Sequence, residues 1–286
     1  MSISGKAKLA GVVGWPIVHS LSPRLHSYWL DAHGVDGAYV PLAVPREDFA
    51  RVIESLRVAG FAGVNVTVPH KESAFAIAHE LDDAAQAAGA VNLLLFGGGK
   101  ITGRNTDAAG LAASLSEALV KNALNGKDAV LLGTGGAARA AILALAELDV
   151  REIRIVGRNH GRGEVLAGEF SARVKTPLRA MAWHDWAKAA DGAGVLVNAT
   201  SAGMSGKEAL ELPLDPLPVN AVVTGLVYNP LETDLLQRAQ ARGNRIVDGL
   251  GMLMHQAVPA FEAFYGERPQ VTPALRTELK KALRHG

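Results

Sequence analysis

The fold class is decided by the stretch Asp128-Ala129-Val130-Leu131-Leu132-Gly133-Thr134-Gly135-Gly136-Ala137-Ala138-Arg139. Its first five residues are a short and mostly apolar run, which is typical of a strand buried on both faces of a parallel sheet. A glycine-rich turn follows, and the alanine-rich sequence beyond it predicts a helix to about residue 148. A second apolar run, Ile153-Arg154-Ile155-Val156, completes a β-α-β unit. The pattern therefore predicts a doubly wound parallel sheet of the Rossmann type.

The glycine-rich turn matches the G-x-G-x-x-G/A pattern of dinucleotide-binding sheets, with Ala138 in the third glycine position. Gly133 permits the tight turn, and Gly135 lets the backbone approach a pyrophosphate. Gly136 and Ala137 then open the helix, whose free N–H groups would bind phosphates. We therefore predict a dinucleotide site, although a plain strand–turn–helix connection can share this pattern.

The end of the second strand distinguishes between the two nicotinamide dinucleotides. An NAD site usually has Asp or Glu there to bind the ribose hydroxyls. This chain instead has Val156-Gly157-Arg158-Asn159-His160-Gly161-Arg162. Arg158 and Arg162 are suited to a 2′-phosphate, and Arg158 is also suited to stacking on adenine. We predict NADP(H) as the cofactor, and the alternative interpretation is a loop with two solvated arginines.

Upstream of this region lies the stretch Asn65-Val66-Thr67-Val68-Pro69-His70-Lys71-Glu72. Valine alternates with Asn65 and Thr67, which predicts a short strand through Val68 with the two polar side chains on one face. The proline ends the strand because it has no N–H to donate. Lys71 lies just beyond this end, where it is suited to binding a polar substrate and moving a proton. A solvated lysine after a proline turn is the common alternative.

The rest of the N-terminal region predicts an open α/β sheet of mixed direction. Strands are predicted over residues 9–14, 38–44, 65–68 and 90–96 and from 101, and helices over 22–33 and 45–59 and after 72. Ser22 is predicted to cap the first helix, with Pro23 at its first position. Helices over about 250–265 and 273–284 close the chain. We predict two domains, one formed by residues 1–105 and 250–286 and the other by residues 106–249.

The composition is that of an ordinary globular protein. The chain has 286 residues, of which 49% are hydrophobic and 20% charged, and its net charge is +1. This charge balance does not suit a nucleic-acid binder. There is no cysteine, the nine histidines show no metal spacing, and His70 is expected to be structural. No apolar window is long enough for a membrane span and no signal-peptide core is visible, so we predict a cytoplasmic protein without metal.

Eight motifs occur in order along nearly the whole chain. They are Ser20-Leu21-Ser22-Pro23, the stretch 65–72, Ala90-Val91-Asn92, Asn105-Thr106-Asp107, the loop 133–139, Asn198-Ala199-Thr200, Tyr228-Asn229-Pro230 with Thr233, and Gly249-x-x-Met252-Leu253-x-x-Gln256. With these motifs the sequence resembles the shikimate dehydrogenase family, NADP-dependent oxidoreductases that interconvert 3-dehydroshikimate and shikimate on the route to chorismate and the aromatic amino acids. The resemblance implies an N-terminal substrate domain, a Rossmann NADP-binding domain and an active site in the cleft between them.

The resemblance also implies roles for individual residues. Lys71 and Asp107 would form the catalytic pair. Contacts to the substrate, shikimate or 3-dehydroshikimate, would come from Ser20, Ser22, Asn65, Thr67, Asn92, Tyr228 and Gln256. Cofactor contacts would come from Gly133, Gly135, Gly136, Ala137, Arg158, Arg162, Asn198, Thr200, Met204 and Gly249.

The sequence departs from the family pattern in three places. Leu93 stands where threonine is usual, the dinucleotide edge reads Gly157-Arg158-Asn159 where Asn-Arg-Thr is usual, and Gly225 replaces the aspartate three residues before Tyr228. These departures leave open a quinate/shikimate dehydrogenase and a catalytically weak NADP-binding paralogue. A methylene-folate type of dehydrogenase is a further alternative, but its folate would need an aromatic platform that the sequence does not display. A monomer and a homodimer are both compatible with the sequence.

Overall fold

The structure of the protein is a computed structural model that describes residues 3–285. The chain forms two compact units. Unit 1 comprises the chain up to Thr106 together with the segment from Leu253 onward, and unit 2 comprises Asp107–Met252. Both termini of the chain therefore belong to unit 1, and unit 2 is inserted between its two segments.

Unit 1 is built on a six-stranded sheet of mixed direction. Its strands are β1 (Lys8–Gly14), β2 (Gly37–Ala43), β3 (Gly63–Val66), β4 (Glu80–Leu81), β5 (Leu93–Gly97) and β6 (Lys100–Arg104). Its first four helices are α1 (Ser22–His33), α2 (Phe49–Val58), α3 (Lys71–Ile77) and α4 (Asp83–Ala88). The strand order is β2-β1-β3-β5-β6-β4, in which β1 is parallel to β2 and β3, and β5 is antiparallel to β3 and β6. This confirms the open α/β sheet of mixed direction.

Unit 2 contains the parallel sheet that the glycine-rich stretch predicts. Its strands are β7 (Asp128–Leu132), β8 (Glu152–Gly157), β9 (Leu178–Ala182), β10 (Ala193–Asn198), β11 (Val222–Gly225) and β12 (Arg245–Val247). Its helices are α5 (Asp107–Ala118), α6 (Gly136–Glu147), α7 (His160–Ser171), α8 (Trp186–Ala190) and α9 (Asp234–Ala241). The strand order is β9-β8-β7-β10-β11-β12, and all neighbouring strands are parallel. From β7 the chain first adds strands on one side and then, from β10, on the other, as in other Rossmann sheets.

Helices cover both faces of the sheet in unit 2, and each face has its own apolar cluster. One cluster includes Ile142, Leu145 and Phe170 from α6 and α7. The other includes Trp186 and Leu235 from α8 and α9. All five residues of β7 are buried, which explains why its sequence is a continuous run and not an alternation.

The last two helices are α10 (Gly249–Tyr265) and α11 (Pro273–His285). The first turn of α10 belongs to unit 2, where Gly251 packs closely on α5. A Cβ atom on Gly251 would lie 2.2 Å from Oγ of Ser114, so a side chain there would force Ser114 to move. Along the described chain, every helix is too short or too polar to traverse a lipid bilayer.

Two local predictions in unit 1 are wrong. Ser22 does not cap α1, because the helix already begins at Ser22 and its N-cap is Leu21, with no side-chain capping bond. Instead Oγ of Ser20 accepts a hydrogen bond from the backbone N–H of Ser22 at 3.3 Å. The third strand ends at Val66, before Val68, because its pairing with the parallel neighbour β1 ends at Val66, opposite Val13. Val68 is consequently 68% exposed.

Other element boundaries shift by a few residues. The helix predicted over residues 45–59 begins at Phe49, after a single 3₁₀ turn over Arg46–Asp48. Lys71 does not precede a helix but is the first residue of α3. The strand predicted over residues 90–96 begins at Leu93. Asn92, just before it, instead belongs to the polar cluster described below.

The buried carboxylate of Asp128 pairs with two arginines at the amino-terminal ends of β7 and β8. Asp128 is 2% exposed, and its two oxygens accept bonds of 2.7 and 2.6 Å from Arg151, while Arg154 also donates to one of them. Arg154 additionally donates to the carbonyls of Ala189 and Asp191 at the end of α8. The hydrogen bond from Arg151 is the main cause that lowers the pKa of Asp128, and the charge of Arg154 adds to it against the opposing effect of burial.

We expect Asp128→Asn to lower the free energy of unfolding by about 2 kcal/mol at neutral pH, because buried charged hydrogen bonds are lost. The pKa of Asp128 is lower in the folded chain than in the unfolded chain, so its stabilisation is complete above the ordinary aspartate pKa and is lost as the pH falls through the folded value. Denaturant unfolding should show a constant gap between wild type and variant down to about pH 5, and a narrower gap below about pH 4.

Asp48→Asn is the control for this prediction. Asp48 pairs with Arg51 on the surface, where both side chains are largely exposed, so its loss should change stability much less. If both variants showed the same small change at every pH, the buried pair would contribute nothing to stability.

Candidate functional site

Polar residues of unit 1 gather around the buried side chain of Asn92. Its Oδ1 accepts a bond of 2.8 Å from the backbone N–H of Thr106, and its Nδ2 donates to Oγ1 of Thr106 at 2.9 Å and to Oε1 of Gln256 at 3.3 Å. Thr106 Oγ1 in turn donates to the carbonyl of Gln256 at 2.9 Å. Three distant segments of the chain are thereby held together at one point. We call Asn92, Thr106 and Gln256 the amide cluster.

Asn65 joins the amide cluster from β3. Its Nδ2 donates to the carbonyl of Asn92 at 3.2 Å, and its Oδ1 accepts from the hydroxyl of Tyr39 at 2.7 Å. Thr67 lies two residues further along, half-buried, with its backbone N–H donating to Val13 at 2.9 Å. Of the two polar side chains that alternate with valine, Asn65 is therefore hydrogen-bonded to the amide cluster.

Lys71 is fixed in position by the first turn of α3. Its carbonyl accepts from the N–H of Val91 at 3.0 Å, which ties α3 to the residue before Asn92. The preceding residue, His70, is fully buried; its Nε2 bonds the carbonyl of Val44 at 2.8 Å and its ring stacks on Phe49. Burial is the main cause that lowers the pKa of His70, so the imidazole is neutral and has the structural role expected for it.

The two serines of the first motif lie at the amino-terminal end of α1. Ser20 is half-buried in the preceding turn, and Ser22 is buried in the first turn of the helix. Their hydroxyls stand where the helix leaves N–H groups unpaired and its dipole favours negative charge. This combination of donors is suited to a carboxylate.

In unit 2 the glycine-rich turn connects β7 to α6 at the switch point of the sheet. Gly133 has a φ of +107°, and a Cβ atom there would lie 3.1 Å from Cγ2 of Thr200, so this position favours glycine. Gly135 caps α6, and a Cβ atom there would meet no described atom within 4 Å. Gly136 and Ala137 form the first turn of α6. Open space above free helical N–H groups fits a dinucleotide pyrophosphate.

Arg158 and Arg162 are exposed at the carboxyl end of β8. Asn159 caps α7 between them, and its Oδ1 accepts from the N–H of Arg162 at 3.1 Å. The cap holds Arg162 in the first turn of α7 and Arg158 immediately before it. The segment 157–162 contains no carboxylate, so this edge is basic where an NAD site is usually acidic.

The neighbouring loop follows β10. Oδ1 of the buried Asn198 accepts from the N–H and the hydroxyl of Thr200, at 3.1 and 2.7 Å, and the N–H of Ala199 donates to Leu132 at the end of β7. Met204 is half-buried in the turn that follows. The β7 and β10 loops thus run side by side where Rossmann sheets bind their ligand.

Tyr228 and Gly249 lie beside the β11 end of unit 2. Tyr228 is half-buried in the loop after β11, and the N–H of Leu226 in this loop donates to the carbonyl of Asn198 at 3.1 Å. A Cβ atom on Gly249 would lie 2.6 Å from the carbonyl oxygen of Val227, so this position requires glycine. The close approach fixes the start of α10 against the loop that carries Tyr228.

Two of the departures from the family pattern can be located in the structure. Leu93 is fully buried in β5, where it belongs to the interior and not to a surface that a ligand could reach. Gly225 is the last residue of β11, and a Cβ atom there would meet no described atom within 4 Å. The position therefore leaves room for the usual aspartate, and the glycine is not required by packing.

The structure divides the predicted residues between the units. Lys71 and all the predicted substrate residues except Tyr228 belong to unit 1, whereas Asp107, Tyr228 and the cofactor residues belong to unit 2. The sequence interpretation missed Thr106 and Tyr39. Thr106 lies inside a quoted motif, so its position was a usable signal, but Tyr39 carries no such signal. Within residues 3–285, carboxylates and histidines form no group of three that could hold a metal ion.

Comparison with known proteins identifies the family. A model described as the shikimate dehydrogenase substrate binding domain matches residues 12–94, and one described as shikimate / quinate 5-dehydrogenase matches residues 114–205. A shikimate dehydrogenase (NADP(+)) of Paramagnetospirillum magneticum is 50% identical over 96% of this chain and 98% of its own.

Solved structures agree with this comparison. Shikimate 5-dehydrogenase from Thermus thermophilus, in complex with NADP(H) and shikimate, has a TM-score of 0.84 and 34% identity over 97% of this chain and 99% of its own. Quinate dehydrogenase from Corynebacterium glutamicum, in complex with NAD, has a TM-score of 0.87 and 27% identity over 97% and 99%. With half of its residues identical to those of a relative matched over almost its full length, the chain belongs to the shikimate dehydrogenase family.

Proposed function

We propose that this protein is an NADP-dependent shikimate dehydrogenase that interconverts 3-dehydroshikimate and shikimate on the route to chorismate and aromatic amino acids. The observation that carries the proposal is the 50% identity, over almost the whole of both chains, to a relative with that activity. The site residues support it, because every residue implied by the family resemblance for catalysis is present. A cytoplasmic location is part of the same proposal, and cell fractionation tests it.

Substrate binding is assigned to unit 1. Ser20 and Ser22 bind the substrate carboxylate with their hydroxyls at the start of α1. Asn65, Thr67, Asn92 and Gln256 contact the carboxylate or the ring hydroxyls, and Tyr228 of unit 2 adds a further contact. Supporting this assignment, the hydrogen bonds of the amide cluster fix the side chains of Asn92 and Gln256 in single orientations.

Cofactor binding is assigned to the carboxyl edge of β7, β8 and β10. Gly133, Gly135, Gly136 and Ala137 hold the pyrophosphate at the start of α6, and Arg158 and Arg162 hold the 2′-phosphate that distinguishes NADP from NAD. Asn198, Thr200 and Met204 are assigned to the nicotinamide side, and Gly249 is assigned to the cofactor as a further contact. When bound, the nicotinamide supplies the hydride chemistry of the reaction.

Lys71 moves the proton in the proposed reaction. In the direction of reduction, its ammonium group donates a proton to the oxygen that was the ketone, and its charge stabilises the developing alkoxide. In the direction of oxidation, the same side chain accepts the proton of the substrate hydroxyl. Asp107 is the second proposed catalytic residue, as the family resemblance implies.

The first test is an assay of the purified protein at the absorbance band of reduced nicotinamide. We expect rapid reduction of NADP⁺ with shikimate, and slower reduction when quinate replaces shikimate or NAD⁺ replaces NADP⁺. Quinate is the second candidate substrate because a quinate dehydrogenase shares the fold of this chain. Binding of NADP⁺ without turnover of shikimate or quinate would contradict the proposal and favour a sensor.

We expect Lys71→Ala to lower kcat for shikimate oxidation by roughly 10²–10⁴-fold, because general acid–base catalysis is lost. Steady-state kinetics with NADP⁺ measures the effect, and thermal unfolding checks that the variant is folded. Lys121→Ala, at an exposed lysine, is the matched control and should be unaffected. Near-normal turnover of Lys71→Ala would remove Lys71 from the mechanism.

We expect Arg158→Ala to raise the KM for NADP⁺ by about 10–100-fold, because a charged hydrogen bond to the 2′-phosphate is lost. The KM for NAD⁺, which has no such phosphate, should change little. Arg179→Ala, at an exposed arginine of the neighbouring strand β9, is the control. Equal effects of Arg158→Ala on both cofactors would show that Arg158 does not read the phosphate.

A further inference from the structure

The side-chain amide of Asn65 is held in one orientation, because its nitrogen and its oxygen each have a fixed partner. Its Nδ2 faces the carbonyl of Asn92, which can only accept a hydrogen bond, so the amide nitrogen must point there. The amide oxygen is then turned towards Tyr39, whose hydroxyl lies 2.7 Å away. Because that oxygen can only accept, the hydroxyl of Tyr39 must donate.

The hydroxyl of Tyr39 is itself fixed by packing. Tyr39 is 5% exposed in β2, and its ring stacks face to face on His26, with 3.8 Å between the ring centroids and 5° between the planes. Phe264 packs on Tyr39 from another side, and Trp29 and Phe261 surround His26. The ring of Tyr39 therefore has little freedom to move its hydroxyl away from Asn65.

The stack is uncharged. His26 is fully buried and neither of its ring nitrogens has a hydrogen-bond partner among the described residues. Burial lowers the pKa of His26 to about 3, so the ring is neutral at neutral pH. It acts as a flat, uncharged support beneath Tyr39.

We propose that Tyr39 is a positioning residue that fixes Asn65 as a hydrogen-bond donor to a substrate oxygen. An amide nitrogen carries two hydrogens, and the one not given to Asn92 is the one that a ring hydroxyl or carboxylate oxygen of the substrate receives. The amide oxygen already accepts from Tyr39, so the remaining N–H is the hydrogen-bonding group that this inference assigns to the substrate. This inference rests on the proposed function, which assigns Asn65 to the substrate.

The test is a double-mutant cycle on Tyr39 and Asn65. Tyr39→Phe keeps the stacked ring and removes only the donor; it should raise the KM for shikimate about tenfold, with a much smaller fall in kcat and no change in the KM for NADP⁺. Asn65→Ala should raise the KM for shikimate at least as much. In the double variant, Tyr39→Phe should add nothing, because its effect acts through Asn65.

The chain offers a matched control in Tyr265→Phe. Tyr265 is also buried in unit 1, and its hydroxyl donates to the carbonyl of Ala38, the residue before Tyr39, at 3.0 Å. Its loss should lower the unfolding temperature about as much as Tyr39→Phe without raising the KM for shikimate. Equal KM values for the two phenylalanine variants, or multiplicative effects in the cycle, would overturn the inference.

A measurement on the wild-type protein covers the case in which Tyr39→Phe does not fold. Nitrogen-15 NMR, with Asn65→Ala used for assignment, follows the two side-chain amide hydrogens of Asn65. One hydrogen should already be protected from exchange, and shikimate should protect the other. Shikimate bound without that protection would overturn the inference alone. A wild-type protein that neither binds nor oxidises shikimate would overturn the proposed function and this inference with it.

Discussion

The polar cluster of unit 1 depends on one buried amide, that of Asn92. An asparagine side chain has one accepting oxygen and one donating nitrogen, and here each faces a partner that permits no exchange of roles. The backbone N–H of Thr106 can only donate to the oxygen, and the oxygen of Gln256 can only accept from the nitrogen. An unpaired amide at this depth would cost roughly 1–3 kcal/mol, so the three segments are held in one arrangement. Three further residues are linked to this cluster. The carbonyl of Lys71 accepts from the N–H of Val91, the residue before Asn92, and the side chain of Asn65 donates to the carbonyl of Asn92. Asp107 follows Thr106 directly in the chain.

Most of the fold could be predicted from the sequence, because the residues that determine each element lie next to one another in the chain. The β7 run, its glycine turn and the alanine-rich α6 occupy adjacent residues, and the exclusion of side chains at Gly133 comes from backbone geometry that a sequence pattern records. The predicted ends of two elements were wrong because contacts with other segments of the chain determine where those elements end or begin. The end of β3 depends on how far its neighbour β1 pairs with it. The start of α1 depends on the turn before Ser22. The local sequence pattern shows neither of these.

The candidate site divides along the same line. Motif residues such as Lys71, Asn92 and Arg158 could be selected from the sequence because each stands in a short recognisable stretch. Tyr39 could not, because its importance comes from a hydrogen bond to a residue 26 positions away and from stacking on His26. A tyrosine in an ordinary strand carries no mark of either contact. The family resemblance supplied the roles of the predicted residues but says nothing about the side chains that orient them.

The insertion of unit 2 into unit 1 sets the order in which the chain can be completed during synthesis. Gln256 lies 164 positions after its partner Asn92, and it leaves the ribosome only after the whole of unit 2 has been made. Closing so long a loop in a disordered chain is entropically costly. The close packing of Gly251 on Ser114 lies within unit 2, so folding of that unit alone brings the start of α10 back to α5. Once unit 2 has folded, the start of α10 lies next to α5, which follows Thr106 directly in the chain. The contact of Gln256 with Asn92 then no longer requires the closure of a long disordered loop.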